Sequence, residues 1–467
     1  MSLTREVSDF IGEVTARDVP QAVMHLAKRS VLDGIGLAVA GSRSAPAGIG
    51  LHEIESYGAL AEQASVLGTD ARLPVRFAAF LNGLAIHADD YDDTQLAVAS
   101  DRVYGLLTHP TAPVLPVALA FAERDRSSGA DALMAYLVGV EVETKVSEAI
   151  APRHYEEGFH STATVGAIGA GAAAARHLKL DRATTAVCLG IAASQAAGLR
   201  ENFGTMTKPF HAGRAAESGV LAGSLAAAGF TAASDILEAD RGFFRAAGGG
   251  YDDSMISGRL GRPWTFEEPG ISIKPHPSGS LTHPAMGAFV DLLGEHDVRA
   301  EDVREIRVGT NRHMPNALIH HEPTNGLQAK FSMEFCLAIL LIDRRAGLPE
   351  FIDEVVNRQD VRAMMDRVRF TADPQADQGG FREMTSLIDV ELADGRVLRT
   401  RAEFGKGSPT NPMRDDELID KFLGCLAWAG VPETTGRSVA SRILALEDEP
   451  SVSDVLGALR SAVPGLA

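Results

Sequence analysis

Between Thr4 and about Phe230, apolar residues return every three or four positions, the spacing that lines one face of an α-helix. The runs PQAVMHLAKRSVLDGIGLAVAGS (20–42), VRFAAFLNGLAIHADD (75–90), APVLPVALAFAER (112–124), GADALMAYLVGVEVETKVSEAI (129–150) and VGAIGAGAAAARHLKL (165–180) all follow it. Gly, Pro or Ser/Asp breaks separate most of them, and Gly41 is placed to cap the first as a C-terminal glycine. This half of the chain is expected to be an all-helical bundle.

The pattern then changes. FRAAGGGY (244–251) reads as a loop by composition. GISIKPHPSGSLTHP starts extended and enters a helix at THPAMGAFVDLL, VREIRVGTN alternates as a strand, and FSMEFCLAILLI is helical. TSLIDVELADGRVLRTRAEF contains two alternating runs joined through Asp394-Gly395, a hairpin signal. After the loop GKGSPTNPM, the segments DDELIDKFLGCLAWAG and VSDVLGALRSAV are helical again. The expected fold is mainly α: a large helical domain over 1–264, a smaller α+β domain over 265–405, and C-terminal helices over 406–467 that return to the first domain. No internal repeat is present.

Composition narrows the function. The 467 residues are 45% hydrophobic and 23% charged, as in an ordinary folded protein, which argues against a disordered chain. Against 44 Lys and Arg stand 62 Asp and Glu, a net charge of −18 with no basic block. Nucleic acid and anionic membrane are therefore poor partners, because phosphate neutralisation needs clustered cations. Aromatics are only 6%, with Ala and Gly abundant, so a core of closely packed small residues is expected. The three cysteines, Cys188, Cys336 and Cys425, form no CxxC and fit a reducing compartment. The charged start, without an apolar stretch, and the lack of an apolar run near 18 residues lead to an expected cytoplasmic location.

Several segments carry candidate chemistry. At the end of an apolar helix, HADDYDDT (87–94) crowds His87, Asp89, Asp90, Asp92 and Asp93 together. Such a cluster is either a solvated helix end or a polar site, where a carboxylate beside an apolar wall has its pKa raised toward neutrality for acid/base work. Its DDxxD spacing also fits Mg²⁺ binding by a prenyl-diphosphate enzyme, but no second acidic motif accompanies it. Thr108-His109-Pro110 opens a helix, so His109 sits where an anion is welcome, or is incidental to a cap. His160, in GFHST, precedes another helix whose glycines Gly166, Gly169 and Gly171 serve close packing better than dinucleotide binding. Lys208, His211 and Arg214 follow one another at steps of three, each step turning about 60°, and are expected to share one helix face for an ion-pair network or a carboxylate. Lys274 and His276, in KPHP, cluster with His283 at the entrance of the α+β unit. In an acidic protein, such local cations can focus an anion into one cleft. A polycarboxylate site with an Asp and two or three His able to move protons is the expectation.

HADDYDDT, HPTAPVLPVALAFAE, GFHSTATVGAIGAGAAAARHL, GTMTKPFHAGRAAESGVLAGSLAAAGFT, KPHPSGSLTHP and GSPTNPMRDDELIDKF, in this order, resemble the MmgE/PrpD family. Its activities include 2-methylcitrate dehydration, cis-aconitate decarboxylation and iminodisuccinate epimerisation. The resemblance implies a helical domain with a smaller α+β lid, a cleft between them, a homodimer, and no cofactor or metal. By similarity to the decarboxylase it also implies a pocket of Asp90, Thr94, His109, His160, Lys208 and Lys274. The chain departs from that pattern in four places. A pocket His falls at Gly279, a pocket Tyr falls at Phe335, the dehydratases' cysteines fall at Ser278 and Gly279, and the Gln95–Leu107 loop is longer. The implied activity is a cofactor-independent lyase on a small polycarboxylate. Lys208 and Lys274 hold carboxylates, and a pair from Asp90, His109 and His160 moves protons. A dehydratase of the 2-methylcitrate type is expected first. A decarboxylase or epimerase on the same scaffold is the alternative, with a Mg²⁺ enzyme or a non-catalytic relative more remote.

Overall fold

The computed structural model describes residues 2–95, 108–312, 314–315, 317–378 and 384–462. Apart from Gln95 itself, the long loop expected at Gln95–Leu107 lies outside the described residues. The fold is mainly α. No described helix is long and apolar enough to cross a membrane.

Buried apolar side chains gather into two clusters. The larger runs from Leu3 to Ile273 and takes in residues from Met413 to Leu459, so the last helices pack back on the first. The smaller is built between Leu281 and Leu392. Within the larger cluster, helices Gln21–Gly41, Val75–His87, Thr111–Asp125, Gly129–Ala149, Ser161–His177 and Thr207–Ala227 lie side by side.

Missing side chains let these helices approach. A Cβ on Gly169 would sit 2.6 Å from the Cβ of Glu143, and one on Gly213 would sit 2.4 Å from the carbonyl oxygen of Phe80. Gly169 thus serves helix packing, as the sequence pattern indicates. Gly41 does not act as a left-handed cap. It is the last helical residue, and the backbone of Ala85 leaves no room for a Cβ there.

The smaller unit is a four-stranded sheet covered on one face by the helices His283–Glu295 and Met333–Asp343. Val303–Thr310 is central, antiparallel to Ser386–Leu392, which pairs in turn with Val397–Ala402. The predicted hairpin turns at Gly395, whose φ of +87° suits a residue without Cβ. Val368–Ala372, not foreseen as a strand, adds a parallel edge. FRAAGGGY is not wholly loop either. Phe243 and Phe244 are buried and start a short helix to Gly248.

The tight Gly169 contact yields a stability prediction. Gly169→Leu should lower unfolding free energy by about 1–3 kcal/mol, the usual cost of overpacking. Urea unfolding checks this, and an unchanged midpoint would contradict the packing role.

Candidate active site

The chain leaves the Val75–His87 helix through a turn in which Asp90 adopts φ +50°, a left-handed conformation uncommon outside Gly, Asn and Asp. The turn brings the Asp90 carboxylate to two ammonium groups. Lys208, in the first turn of the Thr207–Ala227 helix, forms a short ion pair with it. Lys274 reaches it at 3.1 Å and also donates to the Asp90 carbonyl at 2.8 Å. All three residues are at least nine-tenths buried. Burial alone would push the Asp90 carboxyl up. The ammonium groups of Lys208 and Lys274 outweigh it and hold the group far below the usual carboxylate range. Asp90 is therefore a fixed anion, not the carboxyl with a raised pKa that the acidic motif led us to expect.

The neighbouring residues are also tied down. Lys330 donates to both the carbonyl and the carboxylate of Asp89, each at 2.9 Å. Lys421 donates to the Tyr91 carbonyl at 2.9 Å, pairs with Asp33 at 2.6 Å, and lies 3.9 Å from the centre of the Tyr91 ring. The Tyr91 hydroxyl donates to the Pro275 carbonyl at 3.0 Å.

Asp93 carries the elevated pKa. Burial pushes it up to about 7, although the Thr111 hydroxyl and backbone N–H donate to it at 2.6 and 3.2 Å. The helix N-terminus beside His109 is thus already occupied by a carboxyl group of the chain itself, Asp93, contrary to the expectation of a free anion site there. Asp92 faces two imidazoles. Its carboxylate accepts from His87 Nδ1 at 2.8 Å and stands 3.3 Å from His109 Nδ1. Burial raises Asp92, but the two imidazoles prevail and keep it well below its ordinary value. Burial lowers His87 to about 3, and it lowers His109 as well, with Asp92 opposing.

His160 caps the Ser161–His177 helix and is held there by its N–H bond to the Gly198 carbonyl, 3.0 Å. Its ring stacks on His87 at 5.7 Å and meets His211 with Nδ1 atoms 3.1 Å apart. Burial drives the His160 pKa well down, helped by its cationic and imidazole neighbours. Both shifts favour the neutral imidazole at His109 and His160.

Asp90, His109, His160, Lys208 and Lys274 line a single cavity of about 220 Å³. Segments distant in sequence meet there, including Ser280–Leu281 and Ala317–Ile319 from the smaller unit. Thr94 stands beside the cavity, its hydroxyl 3.5 Å from that of Ser280, which lines it. His211 lies behind His160. Arg214 and His276 correct the expectation. Arg214 pairs with Glu217 away from the cavity, because two steps of three residues accumulate about 120° of turn from Lys208. His276 bonds to the Ala346 carbonyl at 2.9 Å and does not line the cavity. Gly279 lines it, whereas Phe335 is packed edge-on against Phe351 in the smaller core.

Sequence reasoning passed over the His87–Asp92 pair and Arg200. The first was visible inside the acidic motif but had no assigned role. Arg200 gave no signal, because it belongs to none of the motifs that carry candidate chemistry.

Among the described residues, His87, Asp90, Asp92 and His109 place one ligand atom each within 4.8 Å of one another. A cation there would compete with two ammonium groups on Asp90 and would face their repulsion. The donor set is better suited to an anion outside it.

A helical core with lysines buried on one aspartate, closed by a small sheet unit, defines a particular class of protein. Residues 5–255 match the MmgE/PrpD N-terminal domain and residues 276–443 the MmgE/PrpD C-terminal domain, and the chain belongs to the MmgE/PrpD family. It is 27% identical to a cis-aconitate decarboxylase of Homo sapiens over 479 residues, covering 99% of this chain and 95% of the relative. A cis-aconitate decarboxylase of Aspergillus terreus is 26% identical over 490 residues, covering 99% and 96%. That of Mus musculus is 27% identical over 446 residues, covering 90% and 86%. The chain is an enzyme of the lyase class.

The buried cluster predicts an acid-dependent stability. Asp90→Asn strands two ammonium groups and should cost about 3–5 kcal/mol at pH 7. Because the folded pKa of Asp90 is depressed, its contribution is complete above the unfolded value of about 4 and is lost as pH falls below it. Urea midpoints of wild type and variant should therefore differ most at neutral pH and converge toward acid. A constant difference would contradict the pairing.

Proposed function

We propose that the enzyme is a carboxy-lyase acting on a short unsaturated polycarboxylate of the cis-aconitate kind. The observation that carries this reading is the cavity wall, where the buried Lys208 and Lys274 stand beside the imidazoles of His109 and His160. The relatives are named for decarboxylation, which favours this reaction over the dehydration expected first.

The chemistry argues the same way. Dehydration asks for a base at carbon and an acid at the departing hydroxyl. Decarboxylation asks for one proton. Asp90 is locked in its ion pairs and does not shuttle protons. Of the two imidazoles lining the cavity, only His109 has a carboxylate facing it among the described residues, Asp92 at 3.3 Å. Asp92 favours the tautomer with its proton on Nδ1, leaving Nε2 for the substrate.

Lys208 and Lys274 hold carboxylates and stabilise the charge that develops as the C–C bond to the leaving carboxylate breaks. The electron pair passes into the carbanion, CO₂ departs, and His109 delivers a proton to carbon. A trianion thus takes up one proton and leaves as a dianion plus CO₂. The neutral His109 of the free enzyme is charged when the anionic substrate enters, because nearby negative charge favours imidazolium. His160 donates or accepts a hydrogen bond at the opposite side.

Turnover followed by NMR in D₂O tests the reaction. cis-Aconitate should be consumed to a new terminal-methylene product with deuterium on carbon. Loss of water from 2-methylcitrate or citrate, with no decarboxylation, would return the dehydratase reading. His109→Gln, His160→Ala and Lys208→Ala should each lose at least about a hundredfold in kcat/KM with the fold retained. Calorimetric binding of tricarballylate, a saturated tricarboxylate, should show proton uptake at pH 7, read as a dependence of heat on buffer ionisation. His109→Gln should remove the uptake.

A further inference from the structure

Arg200 begins a short 3₁₀ turn, Arg200–Asn202, directly after the bridge between Phe159 and Leu199. Its N–H donates to the Gly158 carbonyl at 2.8 Å, which fixes the backbone. The guanidinium lies over the Tyr155 ring, 3.8 Å from its centre, and its Nη1 donates to the Tyr155 carbonyl at 2.7 Å. Arg200 lines the same cavity as Lys208 and Lys274.

Three features set Arg200 apart from those lysines. Its Nε is buried and has no hydrogen-bond partner. Among the described residues it has no carboxylate within ion-pair distance, whereas Lys208 and Lys274 share Asp90 and Lys330 takes Asp89. Its guanidinium is also held in place over the Tyr155 ring and by the Nη1 bond. A buried donor without a partner is costly, and a native site keeps one where a ligand satisfies it. Nε and Nη2 form one straight edge of the guanidinium, the edge that grips a carboxylate with two parallel hydrogen bonds. Phe203 stands between the cations, its ring centre 5.9 Å from the Arg200 guanidinium and 5.4 Å from Lys208 Nζ.

We infer that Arg200 is a substrate-binding and specificity-determining residue: it takes a second carboxylate of the substrate, at the end away from Lys208 and Lys274. The inference rests on the polycarboxylate reading of the cavity and deepens it. The enzyme selects acids with two carboxylates separated across Phe203 and disfavours monocarboxylates, which leave the Nε edge unpaired.

The test is binding of two probes to the full chain, tricarballylate by calorimetry and butyrate by NMR titration. Arg200→Met should weaken tricarballylate about ten- to hundredfold, the range of hydrogen bonds to charged groups. It should leave butyrate affinity unchanged, which also reports an intact site. Arg200→Lys, which keeps the charge but loses the planar fork, should recover only part of the loss. In turnover the Arg200→Met loss should fall mainly on KM. Tricarballylate binding within threefold of wild type in Arg200→Met, with Lys208→Met abolishing it, would overturn the inference while leaving the polycarboxylate reading intact. Absence of tricarballylate binding to the wild-type protein would overturn both.

Discussion

Burial of lysine ammonium groups against residues 89–91 is the interaction on which the site depends. Lys330 takes Asp89, Lys208 and Lys274 take Asp90, and Lys421 takes the carbonyl of Tyr91. Each comes from a different part of the chain, yet all are at least nine-tenths buried. Charges removed from water need partners in good geometry, so the acidic turn and the four lysines place one another. The cluster joins the helical core, the sheet unit and the C-terminal helices.

The same pairing settles the division of labour in the cavity. With Asp90 held as an anion, its charge offsets one of the two lysines and leaves the wall cationic overall. Burial among cations lowers the pKa of the cavity histidines. An anionic ligand reverses that balance. In the proposed reaction the acid is thus supplied on demand, beside the bond that needs it. Asp92 faces the Nδ1 of His109, while His160 leans on His211 and has no carboxylate beside it among the described residues.

Much of this was legible in the linear pattern. Helical periodicity located the bundle helices, alternation with Asp394-Gly395 located the hairpin, and glycines in the Ser161–His177 helix marked close packing. The edge strand Val368–Ala372 was not legible, because five residues carry little periodicity and its pairing comes from the neighbouring Val303–Thr310. The start of FRAAGGGY misled because the buried Phe244, with Phe243 before it, begins a short helix ahead of the glycines.

For the candidate site, residue types in motifs and the family resemblance pointed to Asp90, His109, His160, Lys208 and Lys274, all of which line one cavity. Their electrostatic states were beyond the sequence. Whether a carboxyl rises toward neutrality, as in Asp93, or falls, as in Asp90 one turn away, depends on how many ammonium groups arrive from elsewhere in the chain. Arg214 and His276 share the chemistry of the site residues but are turned aside by helix rotation and by a backbone carbonyl. Arg200 has no motif, and only the folded chain brings it to the cavity. Local periodicity and residue chemistry act along the chain and are written in it. Pairing and desolvation act through space, and only the tertiary arrangement decides them.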